Sequence, residues 1–553
     1  MKPKYFLLVL HSHIPYVIAH GSWPHGMDWL YEAAAESYLP LLDVFFKLVD
    51  EGLSPQINIS FTPVLMDQLK SSYFREGFEG YLKMKIEAAE RDRRYFEKTG
   101  QGELRGLAIY WENWYERIAR QYSEKYNGDI IDAFRRLQDD GHIEVLTSGA
   151  THGYFPLLSR DESIELQIRQ GKLVYRRFMG REPEGFWVPE CAYRPAYSWK
   201  RPFGDTEPYA RQGVDEILEK EDIGYFFVDT HLLRGGEAKG VYTDRFPALK
   251  HLWEKFKDQY APEQESSQTP YLPYLAYPSN VPFFVRDEVS GSQVWSRHLG
   301  YPGDSWYLEF HKKHFPGGIR YWRITSNDAD LADKAVYNVD RSAKRMEDHA
   351  AHFVGILQGS LKDRKAGAVV ALYDTELFGH WWFEGPEWLY AVLKKLALTE
   401  VRPLTCGRSL KQIPAQTSVS LPEGSWGEGG FHWIWLNEDT SWIWEKVYRI
   451  EDGAAKLDQA VLSKKEVSRR LLRQFLREKF LLESSDWPFL VSTWSARDYA
   501  EIRAAEHYER ASALLAWLRR GNALSPEDER LLQSWELEDG LFEELVTTDG
   551  KPI

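Results

Sequence analysis

Short apolar runs alternate with amphipathic helical patterns along most of the chain, and this alternation limits the possible folds more than any other feature. Tyr5–Leu10, Gln56–Phe61, Ile143–Leu146, Gly185–Val188, Tyr225–Val228 and Ala368–Leu372 read as strands, with a further one near Val281–Val285. Between them, apolar periodicity predicts helices over Asp28 to about Val49, Phe78–Phe96, Ile130–Gln138, Val214–Lys220 and after Pro386. "SRDE", Ser159 to Glu162, has the form of a capping box opening a helix to about Phe178. Strands and helices in strict alternation predict parallel β/α units, closed into a barrel or laid out as an open doubly wound sheet.

The strand exits favour the barrel. His11 and His13 follow the first strand, His152 follows the third after a short link, and Glu190, Asp229 and Asp374 follow three later ones. In β/α barrels the C-terminal strand ends carry the active site, so polar residues recurring there predict convergence on one mouth. Residues 235–287, rich in Pro, Tyr, Gln and Ser, break the rhythm and read as a long loop over that mouth. Beyond about Val401 the chain turns helical and charged, as in Val467–Leu482 and Tyr499–Arg519. The expected organisation is a barrel over residues 1–400, with the inserted loop, and a helical region over 401–553 that helps to form the binding groove.

Charge and cysteine usage exclude several function classes. A formal charge of −14 opposes binding to nucleic acid or to an anionic membrane. Cys191 and Cys406 cannot form a disulfide framework and fit a reducing compartment. The apolar stretch Tyr5–Leu10 is too short for a signal peptide core, and no run is long enough to span a bilayer. The chain reads as a cytoplasmic protein. Its 22 tryptophans fall often beside Gly, Asn, Asp and His, as in "EGSWGEGGFHWIWLNEDTSWIWEKVY", and suit a ligand with apolar ring faces and hydroxylated edges: a sugar.

Two constellations carry chemistry. Glu190 and Asp374 each close an apolar run, and a carboxylate pair brought together by the fold could act as nucleophile and acid of a retaining glycosidase. Each could equally cap a loop or pair with an arginine such as Arg194. The "HSH" at 11–13 could hold a metal, with His152, His231 and Asp374 completing the site, or could donate hydrogen bonds to sugar hydroxyls. His380 and Trp381, in "FGHWWFEGPEW", read as a binding wall just past Asp374, while Trp388 reads as core.

These residues together resemble glycoside hydrolase family 57, and within it the 1,4-α-glucan branching enzymes that carry a domain of unknown function 1957. "LVLHSHIPYV", "GHIEVLTSGATHGYFPLL", "GFWVPECAY" and "ALYDTELFGHWWFEGP" look like the first four family motifs in order, and "SWGEGGFHWIWLNEDTSWIW" and "SSDWPFLVST" resemble the C-terminal pieces. The resemblance implies an incomplete (β/α)7 barrel acting on an α-glucan by retaining double displacement, with no cofactor and no metal. It makes Glu190 the nucleophile and Asp374 the general acid/base, with His11, His13 and His152 around the sugar that becomes covalently attached. It places Trp29, Trp295, Trp426 and Trp435 along the glucan groove, Asp486 as a polar contact from the C-terminal region, and Tyr242 on a mobile loop covering the site. An α-amylase or 4-α-glucanotransferase of the same family, a silent glucan-binding protein and a metal-dependent deacetylase are the competing readings.

Overall fold

The computed structural model describes residues 3–545 apart from 205, 236–245, 258–265, 297–298, 327, 458–465 and 522. Seven parallel strands form its centre: β1 (Lys4–Ser12), β2 (Ile57–Phe61), β3 (Ile143–Ser148), β4 (Phe186–Trp187), β5 (Phe226–Val228), β6 (Pro282–Val285) and β7 (Gly367–Asp374). Their apolar runs are buried throughout; Phe6 to Leu10 and Val369 to Tyr373 are each no more than 2% exposed. This is the signature of parallel strands covered on both faces.

The ladder runs β7-β1-β2-β3-β4 without a break. From β4 it passes to β5 through the Gly185–Tyr225 bridge, and β5 pairs with β6. Between β6 and β7 no strand ladder forms among the described residues; a single bond from the Asp287 N–H to the Val370 carbonyl (2.8 Å) spans the gap. The fold is therefore an incomplete (β/α)7 barrel, with every expected strand present.

Local departures have physical causes. The helix expected from Asp28 to Val49 runs from Met27 to Asp50 but carries one π-helical turn, Ala34–Tyr38. The expected capping box does not form: helix Asp161–Met179 is capped at Arg160 without a side-chain bond. Ser159 instead donates its hydroxyl to Glu451 Oε2 (2.6 Å), which also accepts its backbone N–H. Residues 235–287 are not one long loop, since they contain helix Pro247–Phe256, strand Tyr274–Ala276 and β6. The strand Tyr274–Ala276 pairs with β6 and with Ser418–Val419.

The stretch after residue 400 is not helical at once. Arg402–Pro403 pairs with β1, and Tyr193 forms a bridge with Gly424. Helices Ser441–Ala455, Glu466–Leu482, Asp486–Thr493, Arg497–Arg520 and Pro526–Glu538 follow. A buried polar cluster ties them to the segment after β1. Arg503 donates to the Tyr16 carbonyl (2.7 Å), His20 Nε2 meets Asp539 Oδ1 (2.7 Å), and His507 Nδ1 donates to Glu478 Oε2 (2.8 Å). Among the described residues no helix is long and apolar enough to cross a membrane.

Candidate active site

Strand pairing alone brings the first histidines to the second acid. In the β1–β7 register His11 stands opposite Asp374, and Ser12 Oγ donates to Thr375 Oγ1 (2.7 Å) at the next position. β2 supplies Ser60 and, one residue past its end, Thr62, which hold His11 Nδ1 (3.1 Å) and His13 Nδ1 (3.0 Å). His152 arrives from beyond β3 in the left-handed region (φ 59°), and its Nε2 meets His11 Nε2 at 3.0 Å. The rings form a column: His11 stacks on Trp187 (4.4 Å between centroids), and His13 on His152 (4.1 Å).

Burial holds the His11 and His152 imidazoles well below their usual pKa, with neighbouring histidines adding to the effect, so both rings are neutral near pH 7. Each of the three rings already uses both nitrogens. His152 Nδ1 meets Ser485 Oγ (2.8 Å), and His13 Nε2 meets Asp486 Oδ2 (2.8 Å). To bond a hydroxylated ligand, a ring in this column must exchange one of these protein partners for the ligand.

Glu190 is clamped from three directions. Val188 and Pro189 end β4, and both Glu190 (φ 59°) and Cys191 (φ 46°) take left-handed backbone, a conformation that costs energy for side chains with a Cβ and marks sites where geometry is imposed. Trp426 holds the strained turn with two bonds, from its N–H to the Glu190 carbonyl (3.2 Å) and from its indole Nε1 to Oε2 (2.8 Å). Ser485 Oγ reaches Oε1 at 3.3 Å, and His152 Nδ1 lies 3.8 Å from the same oxygen. Burial lifts the Glu190 carboxyl to about 8; the Trp426 and Ser485 bonds oppose this, while Asp374 and Asp486 add like-charge repulsion.

Asp374 ends β7 and faces the same cavity as Glu190. Two residues on stands Glu376, a carboxyl the sequence reading missed. It is buried, lines the cavity, and accepts at Oε1 from the Tyr38 hydroxyl (2.5 Å) and the His13 N–H (3.1 Å). Burial lifts it too, to about 8, with Tyr38 opposing and Asp374 adding to the rise. Its position in "DTELFG", a second acid within one turn of a strand exit, was the available signal.

The cavity encloses about 870 Å³, near the upper end of the ~300–1,000 Å³ usual for ligand sites. His11, His13, Trp29, His152, Glu190, Trp295, Asp374, His380, Trp381, Trp426 and Asp486 all line it. Trp435 does not. It is fully buried and stacked on Tyr154 at 4.5 Å, so it supports the wall from behind rather than facing a ligand. Tyr242 lies outside the described residues. Asp229, another strand-exit acid, is paired bidentately with buried Arg286 (2.8 and 3.0 Å) and joins β5 to β6. Exposed Trp23 and half-buried His25 add aromatic surface at the cavity edge that the sequence reading did not single out.

A parallel barrel that gathers two strand-exit carboxyls, neutral histidines and tryptophan faces in one cavity has the architecture of a carbohydrate-active enzyme. The profile of Glycosyl hydrolase family 57 matches residues 7–422, and that of the 1,4-alpha-glucan branching enzyme C-terminal region matches residues 446–549. The chain belongs to glycosyl hydrolase family 57. It is 41% identical over 98% of its length to a 1,4-alpha-glucan branching enzyme of Thermococcus kodakarensis, of which it covers 78%. A probable 1,4-alpha-glucan branching enzyme of Mycobacterium tuberculosis is 30% identical, with 98% of this chain and 97% of that one covered. Among solved structures, the Thermococcus kodakaraensis enzyme in complex with glucose superposes with a TM-score of 0.89 (40% identity, 98% and 95% covered). The α-amylase AmyC of Thermotoga maritima superposes at 0.80 (28% identity, 98% and 97% covered).

Proposed function

We propose that the protein is a 1,4-α-glucan branching enzyme working by retaining double displacement, with Glu190 as nucleophile and Asp374 as general acid/base. The observation that carries this reading is the dependence of Glu190 on Trp426 and Ser485, residues beyond the barrel strands, in a chain whose C-terminal part matches the branching enzymes.

In the first step a Glu190 oxygen attacks C1 of a glucosyl unit while Asp374 delivers its proton to the departing 4-oxygen. In the second, the ionised Asp374 takes the proton of an acceptor 6-hydroxyl, whose oxygen attacks C1 and releases Glu190; two inversions give net retention. The step needs one proton between the two acids. Buried Glu190 and half-buried Asp374 face one cavity and repel each other when both are charged, which favours a singly charged pair. With Glu190 lifted to about 8, the substrate must draw the charge onto it. The positive charge developing at C1 does so, and the Trp426 and Ser485 donors stabilise the carboxylate that results. Trp29, Trp295, Trp381 and Trp426 supply ring faces for the glucan, and His11, His13, His152, His380 and Asp486 supply polar contacts.

Hydrolysis is the second reading, favoured by the likeness to the Thermotoga α-amylase, which extends over nearly the whole of both chains. Proton NMR of amylose incubated with the protein, alongside a reducing-end assay, separates the two. New α-1,6 anomeric signal with few new reducing ends is the expected result; reducing ends without α-1,6 signal would make the protein a hydrolase.

A further inference from the structure

The π-helical turn Ala34–Tyr38 has one consistent use: every polar side chain in it holds the segment that follows Asp374. Tyr38 bonds Glu376. Ser37 Oγ accepts the His380 N–H at 3.1 Å. Glu36 Oε2 accepts from His380 Nδ1 at 2.8 Å. Gly379, in the left-handed region (φ 112°), lies so close that a Cβ there would stand 1.7 Å from the Glu36 carbonyl oxygen. An inserted residue in a helix rotates the side chains beyond it, and such turns gather at functional sites.

Glu36 is 5% exposed and is charged, because the Arg320 guanidinium (3.0 Å) and the His380 bond outweigh its burial and hold it well below the usual carboxylate range. Arg320 also donates to the His380 carbonyl (3.0 Å), so one cation fixes both members of the pair. A carboxylate on Nδ1 keeps the proton on that nitrogen and leaves Nε2 as the working atom of the ring. Nε2 makes no hydrogen bond among the described residues, and His380 lines the cavity with Phe310 edge-on to it at 5.1 Å.

We infer that Glu36 and His380 form a dyad that recognises a hydroxyl of the acceptor glucan, with His380 touching the sugar and Glu36 acting as its positioning residue. This rests on the branching reading above. The acid/base must reach the oxygen that leaves or enters, and His380, six residues after Asp374, lines the cavity with it. The contacts of His380 include Glu36, Ser37, Arg320, Phe310 and Trp381, with Glu32 Oε2 3.9 Å from Nδ1. The donor-side groups Trp426, Ser485 and His152 belong to Glu190. The departing chain and the incoming acceptor share that side, so the dyad acts in both steps, and it matters most in the second, where an acceptor hydroxyl must outcompete water.

The test compares α-1,6 linkages formed with reducing ends released from amylose by wild type, His380→Asn, Glu36→Gln and the double variant. Loss of one hydrogen bond to the acceptor lowers the transfer-to-hydrolysis ratio about fivefold to tenfold, with total cleavage of the donor falling much less than transfer. The double variant should be no worse than His380→Asn alone, because Glu36 acts through the ring. Glu36→Gln leaves Arg320 buried without its anion and could unfold the protein; His380→Asn keeps that ion pair and decides the matter by itself. Equal losses of transfer and cleavage in His380→Asn would overturn the inference, as would an unchanged ratio. Wild type that releases reducing ends without α-1,6 linkages would instead remove the branching reading on which it stands.

Discussion

The two walls of the cavity hold their carboxyls by different means. Glu190 sits on a two-residue strand followed by strained backbone, and its clamps come from Trp426 and Ser485, which lie 236 and 295 residues further along the chain. Asp374 ends an eight-residue strand paired along its whole length with β1, and the turn after it is held by His13 and by Ser37 and Tyr38 from the first helix of the barrel. The Glu190 wall is assembled from distant parts; the Asp374 wall is built within the barrel. An attacking atom must be placed within tenths of an ångström and kept from over-stabilising, which suits a strained, adjustable seat. A proton donor tolerates more, and a regular strand end suffices.

The largest effects should come from the acids themselves, and they should differ. Glu190→Gln removes the nucleophile we propose and should lower turnover by at least about 10⁴-fold. Asp374→Asn removes the acid/base we propose and should cost about 10²–10⁴-fold, with leaving groups that need no protonation largely restoring the first step. Turnover of amylose and of an aryl glucoside donor by each variant, with circular dichroism to check folding, would separate the roles. An Asp374→Asn variant with wild-type turnover would exchange or void the assignment.

Glu190 also carries a stability cost that Gln would relieve. The folded protein holds its proton up to about 8, whereas an unfolded glutamate loses it near 4.5. The folded state therefore binds more protons than the unfolded one between those values, and stability falls as pH rises through the window. Burial of this one group is worth about 3 kcal/mol of lost stability at pH 7 and under about 1 kcal/mol at pH 5. Glu190→Gln should melt a few degrees above wild type at pH 7 to 8, with the gain shrinking toward pH 5. A pH-independent difference in melting temperature would show that the carboxyl's charge is not its cause.

Trp426→Phe tests the distant clamp. It keeps the backbone bond to Glu190 but removes the indole donor that opposes the rise in its pKa. The carboxyl should then titrate still higher. Since the nucleophile must be ionised, the ascending limb of the pH–rate profile should move to higher pH, with turnover at pH 7 lower by about 10- to 100-fold and partly recovered at pH 9. A uniform loss at every pH would make Trp426 a packing residue or a sugar platform only.

What the sequence made legible follows from what each feature responds to. The barrel strands are buried on both faces, so Tyr5–Leu10 and Ala368–Leu372 stand out as unbroken apolar runs, and an acid or histidine at the end of such a run stands out in turn. Features made by distant partners do not. Ser159 satisfies a local capping pattern, yet its hydroxyl goes to Glu451, 292 residues away. The apolar periodicity of "LYEAAAESYLP" passes through the π-helical turn without a mark, because one extra residue per turn shifts the pattern less than the spread of a helical face. Trp435 and Trp426 share one aromatic-rich segment, and nothing local says which ring faces the cavity and which the core. Glu376 was visible but sat beside a stronger candidate, and only its burial with Tyr38 and His13 distinguishes it.

Tyr38→Phe probes the local wall and should have the smallest effect. It removes the hydroxyl on Glu376 but leaves the His13 N–H on the same oxygen and Ser37 on the same turn. Glu376, already lifted to about 8, is protonated at pH 7, and losing a bond that opposes the lift raises it further without changing its charge there. Stability should fall by about 1 kcal/mol, the usual worth of one buried hydrogen bond, and turnover at pH 7 by less than about threefold. The pH–rate profile should keep its ascending limb, in contrast to Trp426→Phe. If instead the two variants lose activity alike, the barrel-built wall is as finely adjusted as the one assembled from distant segments, and regular strand geometry is not enough to place the acid/base.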